Sequence, residues 1–88
     1  MDISFPPQSA YEARATSVAF PAVVNGHPRR CLVTEEALED HFGATSMEPD
    51  HLRQIFEANR GEIQVVAQER FLSGAMGDVF LRTQDFQS

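Results

Sequence analysis

Apolar residues return at helical spacing across residues 49–72, where Leu52, Ile55, Phe56, Ile63, Val66 and Ala67 fall on one stripe. Pro49 suits the first helical position, and Asp50 the first turn. At 1.5 Å per residue such a helix is about 36 Å long, whereas a compact domain of this size has a radius of gyration of about 12 Å. One long, curved helix that overhangs the domain is therefore expected in preference to two, with Gly61 the favoured place for a bend. Asn59 and Arg70 interrupt the stripe near its centre. A buried amide must find partners, and an arginine near a helix end must pair or snorkel outward. Asn59 thus serves either a local hydrogen bond or a groove facing a partner or ligand.

The rest of the pattern has the period of strands. Along residues 17–24, Val18, Phe20, Ala22 and Val24 share one face, and Pro21 argues for an edge strand or a bulge. Asn25-Gly26 supplies the positive-φ pair of a tight hairpin turn, widened by His27-Pro28. The return strand at residues 29–33 turns Cys31 and Val33 one way and Arg30 and Leu32 the other. Residues 78–83 form a last strand with Val79 and Leu81 on one side. Either that strand is covered on both faces or Phe80 is exposed. Residues 3–5 suit a short edge strand closed by Pro6-Pro7, and residues 8–16 a connection from which Tyr11 docks on the core.

Between hairpin and stripe lies a two-turn helix with both ends marked. Thr34 caps it, Glu35 and Glu36 occupy the first turn, and Gly43 suits the left-handed terminus. Leu38 and Phe42 point inward, with Ala37 and His41 near them. Residues 73–77 end the long helix, and the 84–88 tail offers Phe86 as an anchor. The expected fold class is α+β, a small antiparallel sheet built from the N-terminal hairpin and the C-terminal strand, packed against one short and one long helix.

With 88 residues, a single domain spanning 1–88 is expected. An apolar fraction of 42% with seven phenylalanines supports a real core and argues against disorder. The formal charge is −6, with no basic cluster larger than Arg29-Arg30, a field that repels phosphate backbones and argues against nucleic acid as a partner. Cys31 is the only cysteine, so no intrachain disulfide can form. Neither a signal peptide nor a run of the roughly 18 apolar residues a membrane span needs is present. These features predict a cytoplasmic protein with no membrane partner.

Candidate chemistry is sparse. His41 and His51 each follow an aspartate, but adjacent helical residues point apart and form no chelating face. One cysteine and scattered histidines do not make a zinc site, so no metal is expected. No nucleophile elbow or phosphate loop is present, and no cofactor is implied. Alternation with Val33 makes Cys31 a core thiol, since a reactive one needs exposure and a positive neighbourhood. Glu35, Glu36, Glu39 and Asp40 read as the wet face of a helix.

The run Cys-Leu-Val-Thr-Glu-Glu-Ala-Leu-Glu-Asp-His-Phe from Cys31 to Phe42, with Ile3-Ser4-Phe5-Pro6, the strand at residues 18–24, the helix ending at 63–71 and the closing 78–86, resembles a small bacterial family catalogued as domain of unknown function 1488. The resemblance covers nearly the whole chain and is most specific over residues 34–42. It implies a compact cytoplasmic α+β domain, with an antiparallel sheet against helices, and brings no activity or catalytic residues. The residues therefore point to a non-catalytic protein-interaction or regulatory module, with Asn59, Arg70 and His41 as possible interaction residues and a protein partner or a homodimer as the occupant. The alternative is a small-molecule binding protein or minor enzyme with a groove between helix and sheet near Asn59, His41 or Cys31.

Overall fold

The computed structural model describes residues 1–87, so Ser88, the end of the 84–88 tail, lies outside the described residues. The strands are β1 (Ile3–Ser4), β2 (Ala10–Glu12), β3 (Ser17–Val24), β4 (His27–Thr34) and β5 (Val79–Leu81). Helices α1 (Glu35–Phe42), α2 (Pro49–Ala58) and α3 (Arg60–Leu72) lie between β4 and β5, and short 3₁₀ turns occupy Ala13–Ala15 and Thr83–Phe86. The strands form one sheet in the order β1-β3-β4-β5, with β2 also pairing β3.

The β3–β4 hairpin closes on two residues. Asn25 and Gly26 have φ of 52° and 82°, the positive pair of a type I′ turn, and Val24 pairs with His27 immediately beyond it. His27 and Pro28 therefore belong to the strand and do not widen the turn. Hydrogen-bonded and non-bonded pairs alternate from such a turn. Counting from Val24–His27, both Val23–Pro28 and Pro21–Arg30 are non-bonded pairs, so neither proline removes a bond from this ladder.

β3 has strand neighbours on both sides, so the edge strand or bulge expected from Pro21 is met only locally. On its other side β3 pairs with β1 at Val23 and Val24 and with β2 from Ser17 to Ala19, leaving residues 20–22 without a strand partner. The missing amide faces that gap. The chain bulges around the gap through Pro6 and Pro7 and returns as β2, and Tyr11 packs on the core from a strand, not from a loop.

The C-terminal strand brings a second departure. β5 pairs parallel to β4, with Cys31 opposite Val79 and Val33 opposite Leu81, so the sheet is mixed rather than purely antiparallel. A parallel neighbour needs a long crossover, and the three helices provide it.

The long helix is broken, and the break is at Asn59 instead of Gly61. Asn59 leaves helical geometry at φ −122° and ψ 17°, its amide donates to the Phe56 carbonyl, and its own carbonyl accepts from Ile63 at the start of α3. The Ile55 carbonyl, freed by this shift, accepts instead from Asn59 Nδ2 at 2.9 Å. The radius of gyration is 12.1 Å. Segments of 10 and 13 residues, about 15 and 20 Å long, both lie against a body of that size where one helix would overhang it.

All three helices cover the same face. Leu38, Leu52, Phe56, Ile63, Ala67 and Phe71 join Val18, Phe20, Ala22, Cys31, Val33, Val79 and Leu81 in one buried cluster, so the apolar stripe does mark the core. Phe5, Phe20 and Phe56 pack in sequence with tilted rings at centroid distances of 6.2 and 4.9 Å. Thr34 Oγ1 accepts from the Ala37 amide and Gly43 takes φ 78°, so both predicted caps of α1 are formed.

Candidate functional site

The residues singled out by the helical pattern do not converge on one site. Asn59 lies at the α2–α3 junction and gives its side-chain amide to Ile55. Arg70, half-exposed near the end of α3, donates through Nη1 to the Phe80 carbonyl and to Asp85 Oδ1, both at 3.2 Å. The first contact covers an outward carbonyl of the edge strand β5, and the second holds the 83–86 turn. His41 fastens the same turn from α1, with its ring stacked on Phe86 at 5.5 Å and its Nε2 3.3 Å from Glu62 Oε2 of α3. Phe86 also meets Phe42 edge-on at 5.1 Å. His41 and Arg70 thus anchor the C-terminal turn from two helices.

Other groups with chemical potential are similarly engaged. Burial, with Asp78 adding repulsion, pushes the Cys31 thiol up to about 12, which leaves it without thiolate at neutral pH. Tyr11 OH donates to Glu35 Oε1 at 2.7 Å, and this bond, followed by burial and the glutamate's charge, raises the phenol above its ordinary value. Among the described residues no group of three His, Cys, Asp or Glu side chains is placed to hold a metal ion. No helix there is long and apolar enough to cross a membrane.

One polar hub escaped the sequence pattern. The Pro6–Gln8 bulge leaves carbonyls without strand partners, and buried or half-buried carbonyls need donors. Arg60 supplies them: its guanidinium reaches the Pro6 and Pro7 carbonyls at 3.4 Å and the Gln8 carbonyl at 3.1 Å. The same group lies 4.8 Å from the Phe56 ring centroid and pairs with Glu57 Oε2 at 2.7 Å. Ser9 Oγ donates to Glu57 as well, so Arg60 first and Ser9 second hold that carboxyl down at about 2. The proline pair gave a signal that a bulge was present, but nothing local named the arginine more than fifty residues away.

The helix-free face of the sheet is built differently. Strand alternation places Ser17, Ala19, Pro21 and Val23 of β3 there, with Arg30 and Leu32 of β4 and Phe80 of β5. Leu32, between Ala19 and Phe80 in the register, is only 1% exposed although it lies outside the main core cluster. Phe80 is 40% exposed. Arg30 stretches across the face to Glu12 of β2, Nη2 to Oε2 at 2.7 Å, which pairs its charge beside this apolar centre. A shallow groove of about 400 Å³ opens here beside Ala10, Ala19, Pro21 and Arg30, lined by neither Cys31, His41 nor Asn59.

Comparison with known proteins agrees with this architecture. The family model described as "Protein of unknown function (DUF1488)" matches residues 3–81. A crystal structure of a protein of unknown function from that family, from Shewanella loihica PV-4, superposes with a TM-score of 0.80 over 92% of this chain and 94% of its own, at 22% identity. At that identity the likeness speaks for the fold. No curated protein matches the chain. With the family match covering nearly all of the sheet and helices, the chain belongs to the DUF1488 family.

Proposed function

We propose that this protein is a non-catalytic protein-interaction module that works in the cytoplasm, with the helix-free face of the sheet as its contact surface. One observation carries the reading: β3 is near-continuously apolar on both faces, and beside it Leu32 of β4 and Phe80 of β5 also face the side that the helices leave uncovered. A strand that faces water on one side alternates apolar with polar residues, and near-continuous apolar runs belong to strands buried on both sides. Ala19, Pro21, Val23, Leu32 and Phe80 occupy the positions where that alternation calls for polar side chains. An apolar centre rimmed by a polar pair is the usual anatomy of a contact surface. The lone buried thiol of Cys31 suits a reducing compartment.

The test compares two charge insertions in the full chain. Phe80→Glu alters the uncovered face, and Val65→Glu alters the exposed outer side of α3. In native extracts analysed by gel filtration, the unaltered protein and V65E are expected in a species larger than the free chain, and F80E in the free chain alone. Co-elution of F80E with the unaltered protein, at unchanged circular dichroism, contradicts the reading.

A further inference from the structure

We infer that the occupant of this face is a second copy of the chain, docked sheet to sheet about a two-fold axis. This rests on the reading of the helix-free face as a contact surface and adds the identity of the partner. The first argument is the distribution of charge. Residues 35–72, which form the helical layer, hold nine acidic residues and three arginines, a net of −6. The remaining residues hold four of each sign and are neutral. Two copies that met through their helices would press two acidic layers together. Two that meet through their sheets, about 10 Å apart, place those layers on opposite outer sides, separated by more than the Debye length of about 8 Å at physiological salt.

The second argument is self-complementarity. A two-fold interface must accept its own patch, so a surface of one sign is excluded and a neutral one is suited. Here the exposed Phe80 and the half-buried Ala19, Pro21 and Val23, seated around a buried Leu32, are flanked by Arg30 already paired with Glu12. A strongly basic partner is drawn instead to the helical layer, and a strongly acidic one is repelled by the chain's net charge of −6. The third argument concerns the alternative route to a β-sheet dimer, pairing of edges. Arg70 covers the Phe80 carbonyl on the β5 edge, and β5 is only three residues long. The opposite edge consists of β1 and β2, two and three residues long, so neither edge offers a long strand to pair and face contact is the mode left open.

Sedimentation equilibrium of the purified full chain, from low micromolar to several hundred micromolar, tests the inference. The expected mass rises from 9.8 kDa toward twice that value. Phe80→Glu, which places an unpaired charge in the proposed interface, should weaken self-association on the order of 100-fold. Ala19→Arg, which removes no core atom, should do the same, and V65E should leave association unchanged. A mass of 9.8 kDa at every concentration overturns the inference, as does a dimer that survives both F80E and A19R. A monomeric purified chain that still forms an F80E-sensitive larger species in extracts overturns the second copy as partner and leaves the contact surface standing. Insensitivity to F80E in both experiments overturns both.

Discussion

On one face of the sheet Phe20, Cys31 and Val79 disappear beneath three helices, while on the other Leu32 is equally buried beside a Phe80 that is 40% exposed. Both faces draw on the same strands, and on both the residues are largely apolar. The difference lies in what covers them. On the helical side the cover belongs to the chain itself, and its polar defects are repaired from within: Asn59 satisfies Ile55, Arg60 satisfies the Pro6–Gln8 bulge, and Arg70 closes the β5 edge. On the helix-free side the Arg30–Glu12 pair crosses the apolar surface. On the proposed reading, the exposed apolar positions of the helix-free face report a contact beyond the folded chain.

The largest expected effect breaks this comparison at the core. Phe56→Ala, at a fully buried ring packed against Phe20 and covered by Arg60, should cost about 3–5 kcal/mol in denaturant unfolding. Phe80→Ala, measured at a concentration where the chain is dissociated, should cost about 1 kcal/mol or less. Equal losses would mean that the two faces are not different in kind.

The next effect concerns the polar hub. Arg60→Ala removes the donor from the half-buried Pro6 carbonyl and from the exposed Pro7 and Gln8 carbonyls, which water can serve instead, and should destabilise by about 0.5–1.5 kcal/mol. Its partner Glu57 has an acid-dependent share. Because its carboxyl is lowered from 4.5 to about 2, chiefly by Arg60, the stability it contributes is complete above about pH 4.5 and is lost as pH falls through about 2. Thermal unfolding of the unaltered protein and Glu57→Gln should therefore differ most near neutrality and converge toward pH 2. A constant difference across that window would separate Glu57 from this network.

Smallest is the change at Gly61. It lies inside α3 with no positive φ, and an added Cβ meets nothing within 4 Å. Gly61→Ala should raise stability by about 0.5–1 kcal/mol. Destabilisation would show that the helical layer bends at Gly61 in solution and not at Asn59.

Features written in short stretches were legible in the sequence. Asn25-Gly26 forms its turn, Thr34 and Gly43 bound α1, and the Leu52-to-Ala67 stripe faces the core. What depended on distant pairing was not. The alternation of Val79 and Leu81 reads the same in a parallel as in an antiparallel neighbour, so the direction of β5 had no local signature. The position of the break in the long helix followed from fit to the body of the domain and from the Ile55 carbonyl that Asn59 takes over, and a glycine gives no such contact. Arg60 was invisible because its acceptors are backbone carbonyls of a bulge far away in the chain. Of the three possible interaction residues, His41 and Arg70 were marked by position, but the turn they jointly hold, through Phe86 and Asp85, is visible only once the tail folds back. The helix-free face was announced by Phe80, whose exposure the strand pattern had posed as one of two outcomes.

The most direct measurement places a photo-crosslinking p-benzoylphenylalanine at position 80 or, as control, at position 65 on the outer side of α3, and follows covalent adducts after irradiation of intact cells. The account predicts a discrete adduct from position 80 and none from position 65. No adduct from position 80, or equal yields from both, would contradict the claim that the uncovered face of the sheet is where this protein makes contact.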